Sequence, residues 1–462
     1  DRDRFSYEGI YSADRAVKPL IRENGVLREV SWDVALEAAA KALQETVGNG
    51  SAQDVGAWLT SAATVEEAYL LSRLMRGLGS ENIDSRSRQS DFRASANDPV
   101  YPQLGVEIEA IEQLDAALVV GSALRQEAPI LAHRVRKAAL AGASVNFLNI
   151  SDEDYLFPVS EQIVVPRDGL LNELGALLQA AGAALPQGVT ATSDADERHQ
   201  AVVAALKNAE KSVVWIGQVV EAHEERAQLL QLAAALAKAT GASLGMITAG
   251  PNAAGVAIAG AVPHRTAYGG NVEPAGMSLA EMCDKPRRTL LLFGMEPELD
   301  CANGAAATAA VSAAETVIAL TPWVSGVVEG QADIVLPVGC FAETSGTFVN
   351  AAGLWQSFAG VSMPVGESRP GWKVLRVLGN LLGFDGFEYT SSEAVRDELQ
   401  GDFVPASQPV AEQIGSAPID SAIAADFRPV LQLPMYSIDP LVRRASALQL
   451  TREAQGKSQE VA

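Results

Sequence analysis

Strand-sized apolar runs alternate with helix-length segments along most of this chain, and that alternation limits the fold more than any other feature. Val55-Gly56-Ala57-Trp58-Leu59 reads as a buried strand. Thr64, with Glu66 and Glu67, then caps a helix whose apolar face carries Ala68, Leu71, Leu74 and Met75 and which ends near Gly77 and Gly79. The pattern recurs as strand 116–120, helix 130–141, strand 144–150, helix 170–183, strand 213–216, helix 221–239 and strand 243–247. It resumes with strand 289–293, an alanine-rich helix around 305–314, and strands 316–320 and 334–336. Such alternation makes parallel sheets covered on both faces. The expected fold class is α/β in several domains, with at least two Rossmann-like lobes.

At 462 residues the chain exceeds what one core supports, and two to four domains are expected. Ser31 is a fitting N-cap for an early helix through Ala35, Leu36, Ala39, Ala40 and Leu43. Segments 185–188, 192–194 and the glycine-rich 249–260 read as surface connections. Beyond Gly383 the pattern weakens into Pro- and Ser-containing sequence up to Pro434. A last helix is signalled by Pro440, Leu441, Val442, Ala445, Leu448 and Leu450.

A formal net charge of -22 opposes nucleic acid and anionic lipid as partners, since both attract basic surfaces. No apolar run approaches the roughly 20 residues of a spanning helix. The first residues, Asp1-Arg2-Asp3-Arg4-Phe5, hold no apolar leader and no initiating methionine, so the chain is expected to be a fragment of a longer subunit. Cys283, Cys301 and Cys340 are isolated and odd in number, which suits buried structural thiols better than disulfides or a four-cysteine cluster.

The richest local signal is Ala332-Asp333-Ile334-Val335-Leu336-Pro337 followed by Glu343-Thr344-Ser345-Gly346-Thr347-Phe348-Val349-Asn350 and Gly353-Leu354-Trp355-Gln356. An apolar strand here runs into a polar, glycine-bearing loop, the arrangement that sets backbone amides at the carboxyl end of a parallel sheet. Other clusters are weaker. Gly121-Ser122-Ala123 before a helix lacks a full phosphate-binding fingerprint, and Glu127 is expected to join an arginine in an ion network. In Asn82–Phe92 the polar groups include Ser87 and Ser90 but neither Cys nor His, and Arg86, Arg88 and Asp91 are expected to form domain-bridging salt links. Of four scattered histidines, only His264 stands after a glycine-rich loop, where a functional role and a loop-bracing hydrogen bond are both open.

The 332–356 segment resembles the pterin-pocket segment of the molybdopterin oxidoreductase superfamily, whose pattern usually continues as Asn, any residue, Glu, Gly, Arg, any residue, Gln. Here the Glu position is Ala352 and the Arg position is Leu354. Within that superfamily Arg4-Phe5-Ser6-Tyr7-Glu8-Gly9, Pro19-Leu20-Ile21-Arg22, Arg125-Gln126-Glu127-Ala128-Pro129, Asn252-Ala253-Ala254-Gly255 and Met435–Ala445 together resemble the large iron–sulfur subunit of bacterial NADH:quinone oxidoreductase, respiratory complex I. The resemblance covers nearly the whole chain. It implies two doubly wound parallel-sheet lobes of the formate dehydrogenase/DMSO reductase type. It also implies 2Fe-2S and 4Fe-4S clusters in a missing N-terminal portion, partners among the peripheral-arm subunits including the flavin- and NADH-binding one, and a place on the cytoplasmic face of the bacterial inner membrane.

By the same resemblance, residues 1–50 with 346–385 form a small α/β domain, 51–105 with 278–345 one Rossmann-like domain, 106–277 the other, and 386–462 an extended tail. The leading expectation is a non-catalytic body with no cofactor and no metal in this stretch, in which Gly346, Thr347, Asn350 and Gln356 are vestigial pterin-pocket positions. An alternative is a working molybdenum–pterin oxidoreductase in which those four residues hold the pterin and Ser90 is the metal ligand. A third is a pure interaction module.

Overall fold

The computed structural model describes residues 5–192, 194–248, 250–401, 403, 408–414, 419, 435–452 and 454–455. Strands β1 (Leu20–Glu23), β2 (Val26–Glu29), β3 (Val55–Leu59) and β4 (Ile83–Asp84) come first. Next are β5 (Ala116–Val120), β6 (Ser144–Asn149), β7 (Glu161–Val164), β8 (Ser212–Ile216) and β9 (Ser243–Met246). The chain returns through β10 (Thr289–Phe293), β11 (Thr316–Thr321) and β12 (Ile334–Pro337), then β13 (Gly346–Val349) and β14 (Trp355–Phe358). Every residue of β3, β5, β8, β10 and β12 is buried, as expected of strands with helices on both faces.

Two sheets result, one parallel throughout and one parallel except for an antiparallel hairpin at its edge. One has the order β2-β1-β12-β11-β10-β3-β4, the other β7-β6-β5-β8-β9. The second sheet is entirely parallel and lies, in sequence, between β4 and β10 of the first. Strand β3 therefore meets its neighbour β10 only across the whole inserted lobe, Val55 opposite Thr289. In the second sheet the order turns at β5, with β6 on one side and β8 on the other, which makes the ends of β5 and β8 a topological switch point.

The hairpin β1–β2, grouped by sequence with a separate small domain, extends the first sheet, with Leu20 opposite Val335 and Ile21 opposite Ile334. It covers an edge that β12 would otherwise leave open. Arg22 secures it by donating to the Ala332 and Glu329 carbonyls at 2.9 and 2.6 Å. The helix Trp32–Asn49 packs on β12 and on the helix Gly371–Leu381. Strands β13 and β14 form an antiparallel hairpin of their own.

Four sequence readings are corrected. The single helix over 221–239 is two, Gln218–Glu221 and Arg226–Thr240, separated by a turn in which His223 N–H and Arg226 N–H bond back to Val220 and His223 carbonyls. Within the supposed surface connection 249–260, Ala253–Ile258 is a helix whose Ala254, Val256 and Ile258 enter the main core, while Ala249 lies outside the described residues. Past Gly383, where the pattern fades, Ser392–Gly401 is a helix that sinks Val395 and Leu399 into that same core. The last helix divides into Met435–Ile438, Pro440–Arg443 and Ser446–Gln449, with Leu450 exposed; Pro434 and most of the sequence from 415 onward to it lie outside the described residues.

Close packing of β9 on the extended strand-like segment before β5 depends on a residue with no side chain. Met246 N–H donates to the Gln103 carbonyl at 2.7 Å, and a Cβ on Gly245 would stand 1.9 Å from the Leu104 carbonyl oxygen. That oxygen also accepts the buried Trp215 indole N–H at 2.9 Å, so it has no room to retreat. Gly245→Ala is expected to destabilise the protein by about 1–3 kcal/mol. The check is urea unfolding, where the midpoint should fall with the slope unchanged.

Candidate functional site

The carboxyl ends of β3 and β9, one from each sheet, face a cleft that encloses about 140 Å³. Thr60 and Ser61 follow β3, Met246 and Thr248 come from the end of β9, and the loop Ser85–Gln89 makes one wall. Glu221 and Arg226 of the second lobe, with His264 and Arg265, make much of the other. This is where ligands of open α/β sheets sit.

Its electrostatics are dominated by Arg226. The guanidinium is buried between Asp98, at 3.0 Å from Nη1, and Glu221, at 3.0 Å from Nε. The turn that interrupts the helix makes this possible, because residues five apart on an unbroken helix point to different faces. The carboxylates outweigh the desolvation of the buried cation and hold its proton on. Arg265 instead spends its donors on the Pro99, Asp98 and Ala96 carbonyls, and it is buried too.

His264 lines the cleft, and neither ring nitrogen has a hydrogen-bond partner. Burial, with Arg86 and Arg265 nearby, pushes its pKa down to about 3, so the ring is neutral. The loop-bracing side-chain bond open at the sequence level is absent; the Val272 N–H bonds the His264 carbonyl instead. Of the residues expected in long-range salt links, Arg86 grips Asp84 and Asp91 is gripped by Arg93, each two residues away, while Arg88 donates to the distant Cys301 carbonyl at 3.4 Å. Asp91 also reaches the second lobe, accepting the Ala227 N–H at 2.9 Å, alongside the Arg226–Asp98 pair.

Among the described residues Glu127 has no arginine partner either. Its carboxylate accepts the Ser122 hydroxyl at 2.6 Å and the Ala123 N–H at 3.1 Å, and burial raises its pKa to about 7. The protein's own carboxyl thus occupies the switch point of the second sheet. Cys301 and Cys340 are buried and Cys283 is partly buried, all three as free thiols. Among the described residues no group of three His, Cys, Asp or Glu is placed to hold a metal ion. Among them no helix is long and apolar enough to cross a membrane.

The four pterin-pocket positions named from sequence do not line this cleft. Gly346 and Thr347 lie against the start of the helix Val65–Leu78, so closely that a Cβ on Gly346 would stand 2.3 Å from Thr64 Cγ2. Thr347 donates its N–H and hydroxyl to the Glu66 carboxylate at 2.9 and 2.7 Å. Asn350 closes a turn, its Oδ1 accepting the Ala352 and Leu354 N–H groups at 3.0 Å each. Gln356 is exposed on β14, opposite Phe348. Ser87 does line the cleft, whereas Ser90 keeps a buried, unbonded hydroxyl outside the lining.

Asn252 shows what its motif does locally. Wholly buried, it donates to the Ala63 carbonyl at 2.7 Å and accepts the Val349 N–H at 2.7 Å, which ties the loop after β3 to β13. Sequence reasoning missed the Arg226–Asp98–Glu221 triad. Glu221 and Arg226 are close in sequence, but Asp98 is not, and no local pattern marks the helix break.

The sheets and the cleft between them are those of a known class, and the chain belongs to the molybdopterin oxidoreductase family, whose model matches residues 15–163 and 188–381. Among curated relatives, it is 26% identical over 87% of its length to NADPH-Fe(3+) oxidoreductase subunit alpha of Geobacter sulfurreducens, covering 53% of that protein. It is 23% identical over 86% of its length to a putative formate dehydrogenase of Staphylococcus aureus, covering 46% of that protein. The chain thus spans about half the length of these relatives. Among solved structures, acetylene hydratase from Pelobacter acetylenicus matches 85% of this chain and 65% of that one at 13% identity, with a TM-score of 0.55. A chain of the formyltransferase/hydrolase complex from Methylorubrum extorquens matches 79% of this chain and 99% of that one at 18% identity, also with a TM-score of 0.55. Both show the fold alone.

Two tests follow from the geometry. Arg226→Ala strands Asp98 and Glu221 in the interior, and a loss of about 3–5 kcal/mol is expected. Adding Asp98→Asn and Glu221→Gln should return a good part of it, as read in urea unfolding.

Glu66, 1% exposed, has its pKa raised by burial to about 7 from an ordinary 4.5. The folded form therefore binds the proton more tightly than the unfolded chain, so stability present below pH 4.5 is lost as pH rises to about 7. Glu66→Gln keeps an acceptor for the Thr347 N–H, offers a donor to its hydroxyl and does not titrate. The variant is expected to gain on the parent between pH 5 and 7.5, by up to ~3 kcal/mol. Thermal unfolding across that range checks it, and a constant gap between the two proteins would refute the burial of an ionised Glu66.

Proposed function

We propose that this chain is the molybdopterin-oxidoreductase-like body of the large iron–sulfur subunit of a bacterial NADH:quinone oxidoreductase, where it braces the peripheral arm and performs no chemistry of its own. The observation that carries the reading is a retained cleft whose anion-gripping groups are already committed within the chain. In the cleft Arg226 is neutralised by Asp98 and Glu221, and outside it Thr347, a pterin-pocket position of the family pattern, is taken by Glu66. Leu354 stands exposed where the family pattern has arginine. No cysteine lines the cleft to offer a thiolate. In this reading, these residues do not fit a pterin dinucleotide, and no step is assigned to one.

On this proposal electrons from NADH pass from a flavin on a neighbouring subunit through 2Fe-2S and 4Fe-4S clusters held by another portion of the same subunit. The body described here would dock other peripheral-arm subunits on the cytoplasmic face of the inner membrane. The family membership and the order of motifs from Arg4 to Ala445 support it. A working pterin enzyme is the second reading, favoured by the unbonded nitrogens of His264 in the cleft and by the unbonded hydroxyl of Ser90. Isolation of the native protein by an affinity tag distinguishes them. The expected result is co-purification with NADH-oxidising subunits and no pterin or molybdenum assignable to this chain. One pterin and one molybdenum per chain would overturn the proposal.

A further inference from the structure

One residue lining the cleft comes from an unexpected part of the chain. Ile438, far along the sequence from every other lining residue, reaches the cleft edge beside Leu299 and Asp300. Two consecutive arginines hold it there. Arg443 pairs with Asp300 and with Glu296, at 2.9 Å for the latter, and donates to the Ile438 carbonyl at 3.0 Å. Arg444 bonds Glu296 at 2.7 Å, Asp14 at 2.7 Å and Ser325 at 2.9 Å, and its guanidinium lies 4.4 Å over the Trp323 ring.

These anchors all belong to segments around the first sheet, and they are sheltered. Glu296 is 4% exposed, and the two guanidiniums hold its carboxyl below the usual range against the desolvation that would raise it. Leu441 is buried in a cluster with Ile10, Trp323, Cys340 and Ala342. A Cβ on Gly9 would stand 2.5 Å from the Leu441 carbonyl oxygen, so the segment lies flat on the first turn of the chain. Charge-assisted bonds of this kind are stronger than neutral ones, and sheltered from water they hold a segment firmly.

We propose that residues 435–444 are a strap that closes one end of the cleft, with Ile438 as its stopper and the pairs of Arg443 and Arg444 as its clasp. Entry of any small molecule from this side requires the Arg443–Asp300 pair to open, because Asp300 is part of the cleft lining and of the clasp. The inference concerns access to the cleft and stands whether or not the chain works in a larger respiratory assembly.

The test places a reporter thiol inside. Ala257 lines the cleft and is partly buried, and Ala257→Cys adds one atom. Its modification by a small maleimide is followed by site-resolved mass spectrometry, which separates it from the three native cysteines. In the R443A/R444A background the rate at position 257 is expected to rise about ten-fold or more, while exchange of amide hydrogens in β5 and β8 is unchanged. An unchanged rate, with the peptide spanning 435–449 exchanging freely, would overturn the strap. If the double variant unfolds, Ile438→Ala with both arginines intact decides instead: faster modification at 257 supports the stopper, and the parental rate refutes it.

Discussion

Parallel strands must be covered on both faces, and in this protein the cover for one sheet comes from both sides of an entire inserted lobe. Strand β3 is paired with β10, and its companion helix Val65–Leu78 packs against Gly371–Leu381, Ser392–Gly401 and Ala253–Ile258. The main core therefore draws on residues from Trp32 to Leu399. Everything described at the cleft hangs from this arrangement. The loop after β3, the wall at Ser85–Gln89 and the clamp of Asn252 are placed only once β3 has its distant neighbour.

Much of the architecture was legible because apolar runs in α/β proteins are short and uninterrupted. Strands such as Ala116–Val120 and Thr289–Phe293 read directly from composition, since burial on both faces leaves no polar alternation to confuse them. Where the sequence misled, the cause was physical. Ala253–Ile258 is small and glycine-bearing because it packs tightly in the core, and Gly255 is needed since a Cβ there would stand 2.1 Å from Asn252 Oδ1. The same composition reads as a loop when its neighbours are unseen. Ser392–Gly401 is held by two apolar anchors, Val395 and Leu399, too few to announce a helix alone.

The candidate site was less legible. Gly346, Thr347, Asn350 and Gln356 form a recognisable string, yet a hairpin alternates its side chains, and a string along β13 and β14 does not converge on one point. Thr347 turns to Glu66 and Gln356 to solvent. The charged centre of the cleft is assembled from Asp98, Glu221 and Arg226, whose partnership depends on a helix break and on the approach of two lobes. Pairings of that kind live in tertiary structure. The same fold carries a hydratase and a chain of a formyltransferase/hydrolase complex, so the scaffold by itself leaves chemistry open.

The insertion of the second lobe between β4 and β10 also sets an order of events at the ribosome. Synthesis delivers β3 long before β10, and at about 5–20 residues per second the wait is on the order of ten to fifty seconds. During that interval Val55–Leu59 has only the two-residue strand β4 beside it and its β10 edge is open, while the all-parallel second sheet is complete and free to form. A nascent chain of this design emerges with its earlier half-lobe waiting on its later one.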